Sequence, residues 1–385
     1  MKKNNDIIKI VFAGGGTGGH IYPGIAVADE LKVLAEKEGK KIELYWMGNS
    51  SGMDRGIVEK NLVSCGGSIT SFIGIPSGKL RRYFSFRNFL DLFKIGFGFI
   101  KSIFVLLKLK PDCLFSKGGF VSVPPCRAAA LLKIPYFTHE CDFTPGLATR
   151  LNAGRAKNIF VSYEDTKKYL KGALASKCLV TGNPVRPVFY EDRKTDGLKF
   201  LGISENHEKP VLLVLGGSLG AAQVNSLIVS ELEYLKERFI VVHQTGKAFA
   251  EENPDIMASG DDSYKPYAFI YGEMPAVIQS ADVIVARAGA NSLWECAVCG
   301  KPMILIPLCG AGTRGDQVDN ARYFESNGAA VVLAGEDATA ENLRKGVEKF
   351  SEKEVRDSYG KSALSMCSRK SALEIATIIL SEVRS

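Results

Sequence analysis

The 385-residue chain contains no Asp-x-Asp, the carboxylate pair that many metal-dependent sugar-nucleotide enzymes use to hold a divalent ion. It has no G-x-x-x-x-G-K-[ST] loop, so a Walker-type nucleotide triphosphatase is excluded. Between Gly74 and Lys110 no run approaches the roughly 18 uncharged residues that a membrane-spanning helix needs. Low-complexity segments and short-period repeats are also absent, which excludes solenoids and linker-like chains. Nine cysteines, an odd number at irregular spacing, argue against a disulfide framework and for a reducing compartment. Cys296-x-x-Cys299 has no second pair or histidine nearby and reads as core thiols rather than a zinc site. The start, "MKKNNDIIKIVFAGGG", has an apolar run broken by Asp6 and Lys9, so it reads as a first strand and not a signal peptide.

What is present is a soluble-protein balance of 46% hydrophobic and 24% charged residues, in a chain long enough to expect two domains. "IIKIVFA", "KIELYWMG", "PDCLFSKGGF", "IPYFTHE" and "KNIFVSYED" are apolar strands separated by helical stretches, a βαβ series. The pattern restarts at "KPVLLVLGGSLGAAQVNSLI" and continues through "FIVVHQTG", "ADVIVARAG", "KPMILIPL" and "AAVVLAG". The sequence therefore predicts an α/β protein of two doubly wound, Rossmann-like domains. The join should lie near "VTGNPVRP", where prolines stop regular structure. The expected division is 1–184, with a C-terminal helix at about 368–385, and 185–367.

Each half opens on a glycine turn. Five glycines lie between Gly14 and Gly19, followed by His20. Gly14-x-Gly16-x-x-Gly19 formally fits a dinucleotide fingerprint, but that fold also wants an acid after the second strand to hold a ribose. Here that position reads "YWMGNSSG", with no acid until Asp54. What survives is a set of bare backbone N–H groups at a helix start. An imidazole there meets the positive end of the helix dipole, which disfavours its protonated form and leaves a proton acceptor. The bland alternative is a histidine packed over the turn.

The second half offers a nucleotide site. "GGSLGAAQ" supplies Ser218 and backbone donors for a pyrophosphate. "ARAGANSLWECA" places Glu295 on a helix after a glycine loop, where a carboxylate can accept from a ribose diol; a plain surface glutamate is the alternative. "RGDQVDNA" gathers Asp316, Gln317 and Asn320 at a helix start, and Arg186 in "GNPVRP" can meet a phosphate.

The net charge is +7, and eight basic residues against one acid fall between Gly74 and Lys110. Arg87, Lys94, Lys101 and Lys108 recur every seven residues among Phe, Ile and Leu, near one another on a helix with a drift of about 20° per heptad. Two readings stand for this helix: a core helix with a solvated lysine stripe, or a membrane-surface element. For residues 75–89, with aromatics among arginines, the expectation is contact with an anionic membrane surface.

The motifs "GGGTGGHIYPGIAVADEL", "SKGGFVSVP", "HECDFTPGLATR", "TGNPVR", "LGGSLGAAQVN", "RAGANSLWE" and "GDQVDNA" occur in the order found in the MurG family of N-acetylglucosaminyltransferases, and the chain resembles that family from about residue 8 to 380. The resemblance implies a glycosyltransferase B fold, two domains facing a cleft. It also implies an inverting transfer from UDP-N-acetylglucosamine to the muramoyl sugar of undecaprenyl-pyrophosphoryl-muramoyl-pentapeptide, giving the lipid-linked disaccharide precursor of peptidoglycan. The N-terminal domain would take the acceptor and the C-terminal domain the donor, with no cofactor, no metal and no nucleic-acid partner. By the motif matches, Thr17, Gly18, Gly19 and His20 lie at the cleft. Ser218 and its turn face the diphosphate, with Arg186 near the donor. Ile270, Tyr271 and Met274 line the uracil, Glu295 binds the ribose, and Asp316 and Gln317 contact the donor sugar. His20, Asp142 and Glu295 are the expected catalytic set. "HECD" departs from the commoner His-Glu-Gln-Asn, and an ionised Asp142 cannot donate as asparagine does. Asp142 can touch the sugar, serve as the base or orient one. Another membrane-surface glycosyltransferase of this fold, such as a diacylglycerol glycosyltransferase, and a silent UDP-sugar-binding protein remain as alternatives. The expected location is peripheral, at the cytoplasmic face of the plasma membrane.

Overall fold

The computed structural model describes residues 7–79, 86–216, 221–310, 313–367 and 370–384. It divides into two compact units, 1–186 with 369–385, and 187–368.

The first unit is built on seven parallel strands: β1 (Ile7–Gly14), β2 (Lys41–Asn49), β3 (Ser71–Ile75), β4 (Cys113–Gly118), β5 (Tyr136–Glu140), β6 (Ile159–Val161) and β7 (Cys178–Val180). Their order is β3-β2-β1-β4-β5-β6-β7. Central strands covered on both faces read as continuous apolar runs, which is why "IIKIVFA" shows no alternation. One face puts Phe12, Trp46, Phe115, Phe137 and Phe160 in a single core layer. Phe12 and Trp46 stack at 5.5 Å. Covering this layer are α1 (Tyr22–Lys37) and the C-terminal helix Ser371–Arg384, which buries Ile375, Ala376 and Ile379 and so returns the chain to the first unit. The opposite face carries Val11, Met47, Leu114 and Val161.

α1 starts with a proline in its first turn, where the missing N–H costs nothing. It stops at Gly39, whose φ of +65° admits the left-handed C-terminal cap. Lys40 N donates to Ala35 O and Gly39 N to Glu36 O, both about 3 Å, the pair of bonds that closes such an end.

The second unit holds six parallel strands: β8 (Val211–Leu215), β9 (Ile240–Gln244), β10 (Tyr264–Tyr267), β11 (Val283–Ala286), β12 (Met303–Leu305) and β13 (Ala330–Val332). Their order is β10-β9-β8-β11-β12-β13, around a core of Leu212, Val214, Phe239, Val241, Val285, Leu343 and Phe350.

Each sheet reverses its strand order once, at β1/β4 and at β8/β11. Open α/β sheets bind ligands beyond the carboxyl ends of the strands at such a reversal. The first glycine turn follows β1 and the second follows β8, so topology alone places both at a switch point.

Candidate functional site

In the first unit the turn after β1 is built with no room to spare. Gly16 has a φ of +84°, which an L side chain rarely adopts, and a Cβ there would lie 2.4 Å from Phe120 Cε1. Gly14 O accepts from Trp46 Nε1 at 3.0 Å. Gly18–His20 form one 3-10 turn leading into α1. Thr17 Oγ1 and His20 Nδ1 lie 2.9 Å apart, and the imidazole is partly exposed.

Asp54, the acid that comes too late to hold a ribose, is 1% exposed and turned onto this loop. Its Oδ1 accepts the Gly16 N–H at 2.8 Å and its Oδ2 accepts the Asn49 N–H at 2.8 Å. Burial raises its pKa above the usual carboxylate range, against the pull of these two bonds.

The loop after β4 closes the other side. A Cβ on Gly119 would lie 2.8 Å from Gly15 O and 3.1 Å from His20 Cγ; one on Gly118 would touch both His20 Cδ2 and the His139 carbonyl. Gly118 thus separates the His20 ring from β5 by the width of one glycine. His139 is buried, with Nε2 3.0 Å from Gly182 O. Burial, and then the charge of Lys117, drive its pKa well below the histidine norm, so it stays neutral. Lys117 is itself 1% exposed, with no hydrogen-bond partner for Nζ among the described residues.

Asp142 is partly buried in the turn after β5, where its N–H donates to Glu140 Oε1 at 3.0 Å; Glu140 Oε2 accepts from Gly146 N at 2.9 Å. Ligand atoms of Glu140, Cys141 and Asp142 fall within 4.8 Å of one another, but both Glu140 oxygens already brace the turn. Arg186 lies in the first unit, its guanidinium 5.1 Å over the ring of Tyr22 at the start of α1.

In the second unit Gly216 follows β8, and a Cβ there would lie 2.7 Å from Gln244 O. Ser218 lies outside the described residues. Beside Gly216 is a buried chain that the motifs did not reveal. His243 Nε2 meets Asn225 Oδ1 and Nδ1 meets the Tyr264 hydroxyl, both at 3.1 Å, and Asn225 Nδ2 donates to Thr245 O at 2.7 Å. Burial pulls His243 down to a pKa of about 4.

Gln244 reaches forward as well: its Oε1 accepts from Ile270 N at 2.9 Å, which fixes the Ile270–Tyr271 stretch. Ile270 is buried and Tyr271 is 63% exposed, while Met274 opens the helix Met274–Ser280. Glu295 is partly buried on the helix Ala290–Val298, which starts just beyond β11. The helix Asp316–Ser326 is tied to that same loop, because buried Asn320 donates to Ala288 O at 3.3 Å. Gln317 Oε1 accepts from Leu308 N at 2.9 Å, and Asp316 pairs with Arg314 at 3.1 Å.

Arg287, just beyond β11, opens the motif "RAGANSLWE" but was not singled out as a site residue. Its partly buried guanidinium has its pKa lowered by desolvation. The available signal was an arginine two residues before the glycine of a strand-to-helix turn.

The basic, apolar segment forms one 24-residue helix, α3 (Phe86–Leu109). Both of its faces carry apolar side chains. Asp91, Gly98, Ser102 and Leu106 face inward; a Cβ on Gly98 would lie 2.2 Å from Pro76 O, and the Ser102 hydroxyl donates to Gly98 O at 2.6 Å. Outward, at helical spacing, stand Phe89, Phe93, Phe97, Ile100, Phe104 and Leu107, each at least 50% exposed. Lys94, Lys101 and Lys108 are exposed beside them. The core-helix reading holds for one face, where Leu106 is buried and Phe99, Ile103, Val105 and Leu109 pack against the core, while the opposite face leaves large apolar side chains outside. Residues 80–85, within the 75–89 segment expected to seat a membrane, and the Arg87 side chain lie outside the described residues. No described helix is long and apolar enough to cross a membrane.

Residues 10–161 match the glycosyltransferase family 28 N-terminal domain, and residues 211–375 match the family 28 C-terminal domain. A UDP-N-acetylglucosamine–N-acetylmuramyl-(pentapeptide) pyrophosphoryl-undecaprenol N-acetylglucosamine transferase of Treponema denticola is 54% identical over 336 residues, covering 85% of this chain and 84% of that protein. The protein of the same name from Treponema pallidum is 45% identical over 338 residues, covering 87% and 84%. The crystal structure of Acinetobacter baumannii MurG superposes with a TM-score of 0.73 at 23% identity, over 97% of this chain and 99% of that one, and shares the glycosyltransferase B fold. With both domain models matched in order and a relative 54% identical over 85% of this chain, the chain belongs to the family 28 glycosyltransferases.

Proposed function

We propose that this glycosyltransferase moves N-acetylglucosamine from UDP-N-acetylglucosamine to the 4-hydroxyl of the muramoyl sugar of undecaprenyl-pyrophosphoryl-muramoyl-pentapeptide, in one inverting displacement without a metal. The observation that carries this reading is the extent of the likeness to the Treponema transferases, whose names specify that donor and acceptor. The first unit takes the acceptor and the second takes the donor.

His20 is the proton acceptor. In the tautomer that serves, Nδ1–H donates to Thr17 Oγ1, 2.9 Å away, and Nε2 holds the lone pair. As the acceptor oxygen bonds to the anomeric carbon, its proton passes to Nε2 and the bond from that carbon to the diphosphate oxygen breaks. UDP leaves with the electron pair. Its charge is met by main-chain amides of the turn after β8, with Ser218, and by Arg186. Glu295 holds the ribose, Ile270, Tyr271 and Met274 the uracil, and Asp316 and Gln317 the sugar. Gly18 and Gly19 let the acceptor approach the backbone, and Asp142 contacts the sugar beside His20.

The outward face of α3 supports seating on an anionic membrane, peripheral and on the cytoplasmic side, where a lipid-linked acceptor is reached without leaving the bilayer. A spanning helix is not needed for this.

One incubation tests the proposal: the protein with UDP-N-acetylglucosamine and the lipid-linked muramoyl-pentapeptide, reading UDP release and product mass, with and without a chelator. The expected product gains one N-acetylhexosamine and the chelator changes nothing. Transfer only to diacylglycerol, or donor binding without UDP release, overturns it.

A further inference from the structure

The Asp54 carboxylate is not explained by the reaction or by the fold's core. It is 1% exposed, and burying a carboxylate is costly unless its oxygens are satisfied. It sits at the start of α2 (Asp54–Glu59), 38 residues beyond Gly16 in sequence, yet both oxygens are spent on backbone N–H groups: Gly16 in the glycine loop and Asn49 at the end of β2. A Cβ on Gly15 would lie 1.7 Å from Asp54 Oδ2, so the loop rests directly on the carboxylate.

From Gly16 to His20 there is little slack. His20 N donates to Thr17 O at 3.1 Å, Ile21 N to Gly18 O at 2.9 Å, and the Thr17 hydroxyl meets the imidazole. Phe120 and Gly119 wall the other side. Moving Gly16 therefore moves His20.

We infer that Asp54 is a positioning residue for the transfer: its carboxylate grips the glycine loop at Gly15–Gly16 and thereby presents the His20 imidazole at one fixed place. The inference rests on the reading of His20 as proton acceptor. It also accounts for an acid after β2 in a loop that binds no ribose, since its charge is directed at the loop's own amides.

The test is Asp54→Asn, which keeps the shape but turns an NH2 toward one of the two N–H donors. With the lipid-linked acceptor, kcat falls about 10- to 100-fold, the effect of displacing a reacting group by about 1 Å, while the KM for UDP-N-acetylglucosamine stays within about twofold. A second readout is structural. The chain has four histidines, so 13C-labelled imidazole signals are few, and His20→Gln assigns one of them. In Asp54→Asn the His20 signal shifts or broadens while those of His207 and His243 stay. An unmoved His20 signal with kcat within about threefold overturns the inference, even if the melting temperature drops. If Asp54→Asn does not fold, Gly15→Ala drives a methyl into Oδ2 without touching the charge, and normal kcat there overturns the inference equally. Wild-type protein silent toward the acceptor would instead overturn the proposed acceptor, and the His20 signal would still decide the role of Asp54.

Discussion

Replacing Phe97 and Phe104 with serine should detach the protein from anionic membranes without unfolding it. Both rings stand on the outward face of α3, 64% and 68% exposed. Full burial of a phenylalanine is worth about 1.5–3 kcal/mol, so the exposed two-thirds of each ring has about 1–2 kcal/mol left to gain from lipid. Together they contribute about 2–4 kcal/mol, which is roughly 30- to 700-fold in the partition constant. Lys94, Lys101 and Lys108 each add about 1 kcal/mol near an anionic surface, and that share disappears with salt. The assay is co-sedimentation with sucrose-loaded vesicles, either wholly zwitterionic or one-third phosphatidylglycerol, at low and high salt. Wild-type protein should bind the anionic vesicles best and lose much of that binding in high salt. The double variant should lose most binding at both salts, with an unchanged or slightly raised melting temperature because neither ring packs in the core. Binding of the double variant within threefold of wild type would refute the reasoning, and so would a melting temperature lowered by several degrees.

His20→Gln should lower kcat by about 10²- to 10⁴-fold, the usual worth of a positioned base, with near-normal binding of UDP-N-acetylglucosamine by calorimetry. Retained turnover in both His20→Gln and Asp142→Asn would remove the assignment of the base. Glu295→Ala should raise the KM for the donor about 10- to 100-fold, the value of hydrogen bonds to a charged acceptor, and leave the KM for the lipid acceptor alone. Stability should fall with acid because His243, with a pKa of about 4, resists protonation when folded but takes a proton near pH 6.5 when unfolded. Its folded pKa is depressed, so the unfolded state gains protons first. The loss runs from about pH 6.5 down to pH 4 and reaches about 2 kcal/mol at pH 5. Calorimetric melts at pH 8 and pH 5 should show that drop, and His243→Gln should flatten it in part. The remainder comes from His139 in the first unit, also held neutral by burial.

Strands and turns were legible because they obey local rules. Unbroken apolar runs such as "VLLVL" fit only strands covered on both faces, and glycine turns at their ends announced the switch points. The destinations of polar side chains were not legible. Asp54 reads as an acid in a loop of small residues until folding brings it to Gly16, and Asn225 and His243 look unrelated until β8 and β9 align. α3 failed for a different reason. Helical periodicity of apolar residues says which positions share a face but not which way that face points. Gly98 and Ser102 were the clue, because small residues at i and i+4 on one side let the helix approach Pro76 closely and mark the inward side, leaving Phe89, Phe93, Phe97 and Phe104 outside.

The same logic separates the two glycine turns, which look alike in sequence. After β1 the loop's Gly16 amide is already occupied by Asp54 and its flanks are sealed by Phe120 and Gly119, so this turn has been converted from a phosphate cradle into a rigid mount. After β8, the described side chains of Asn225 and Gln244 bond to Thr245 O and Ile270 N. An amide already held by a carboxylate is closed to a phosphate oxygen. That difference supports the proposal that the second unit takes the donor diphosphate and the first presents His20. It rests on where one carboxylate is aimed rather than on the glycine pattern that the two turns share.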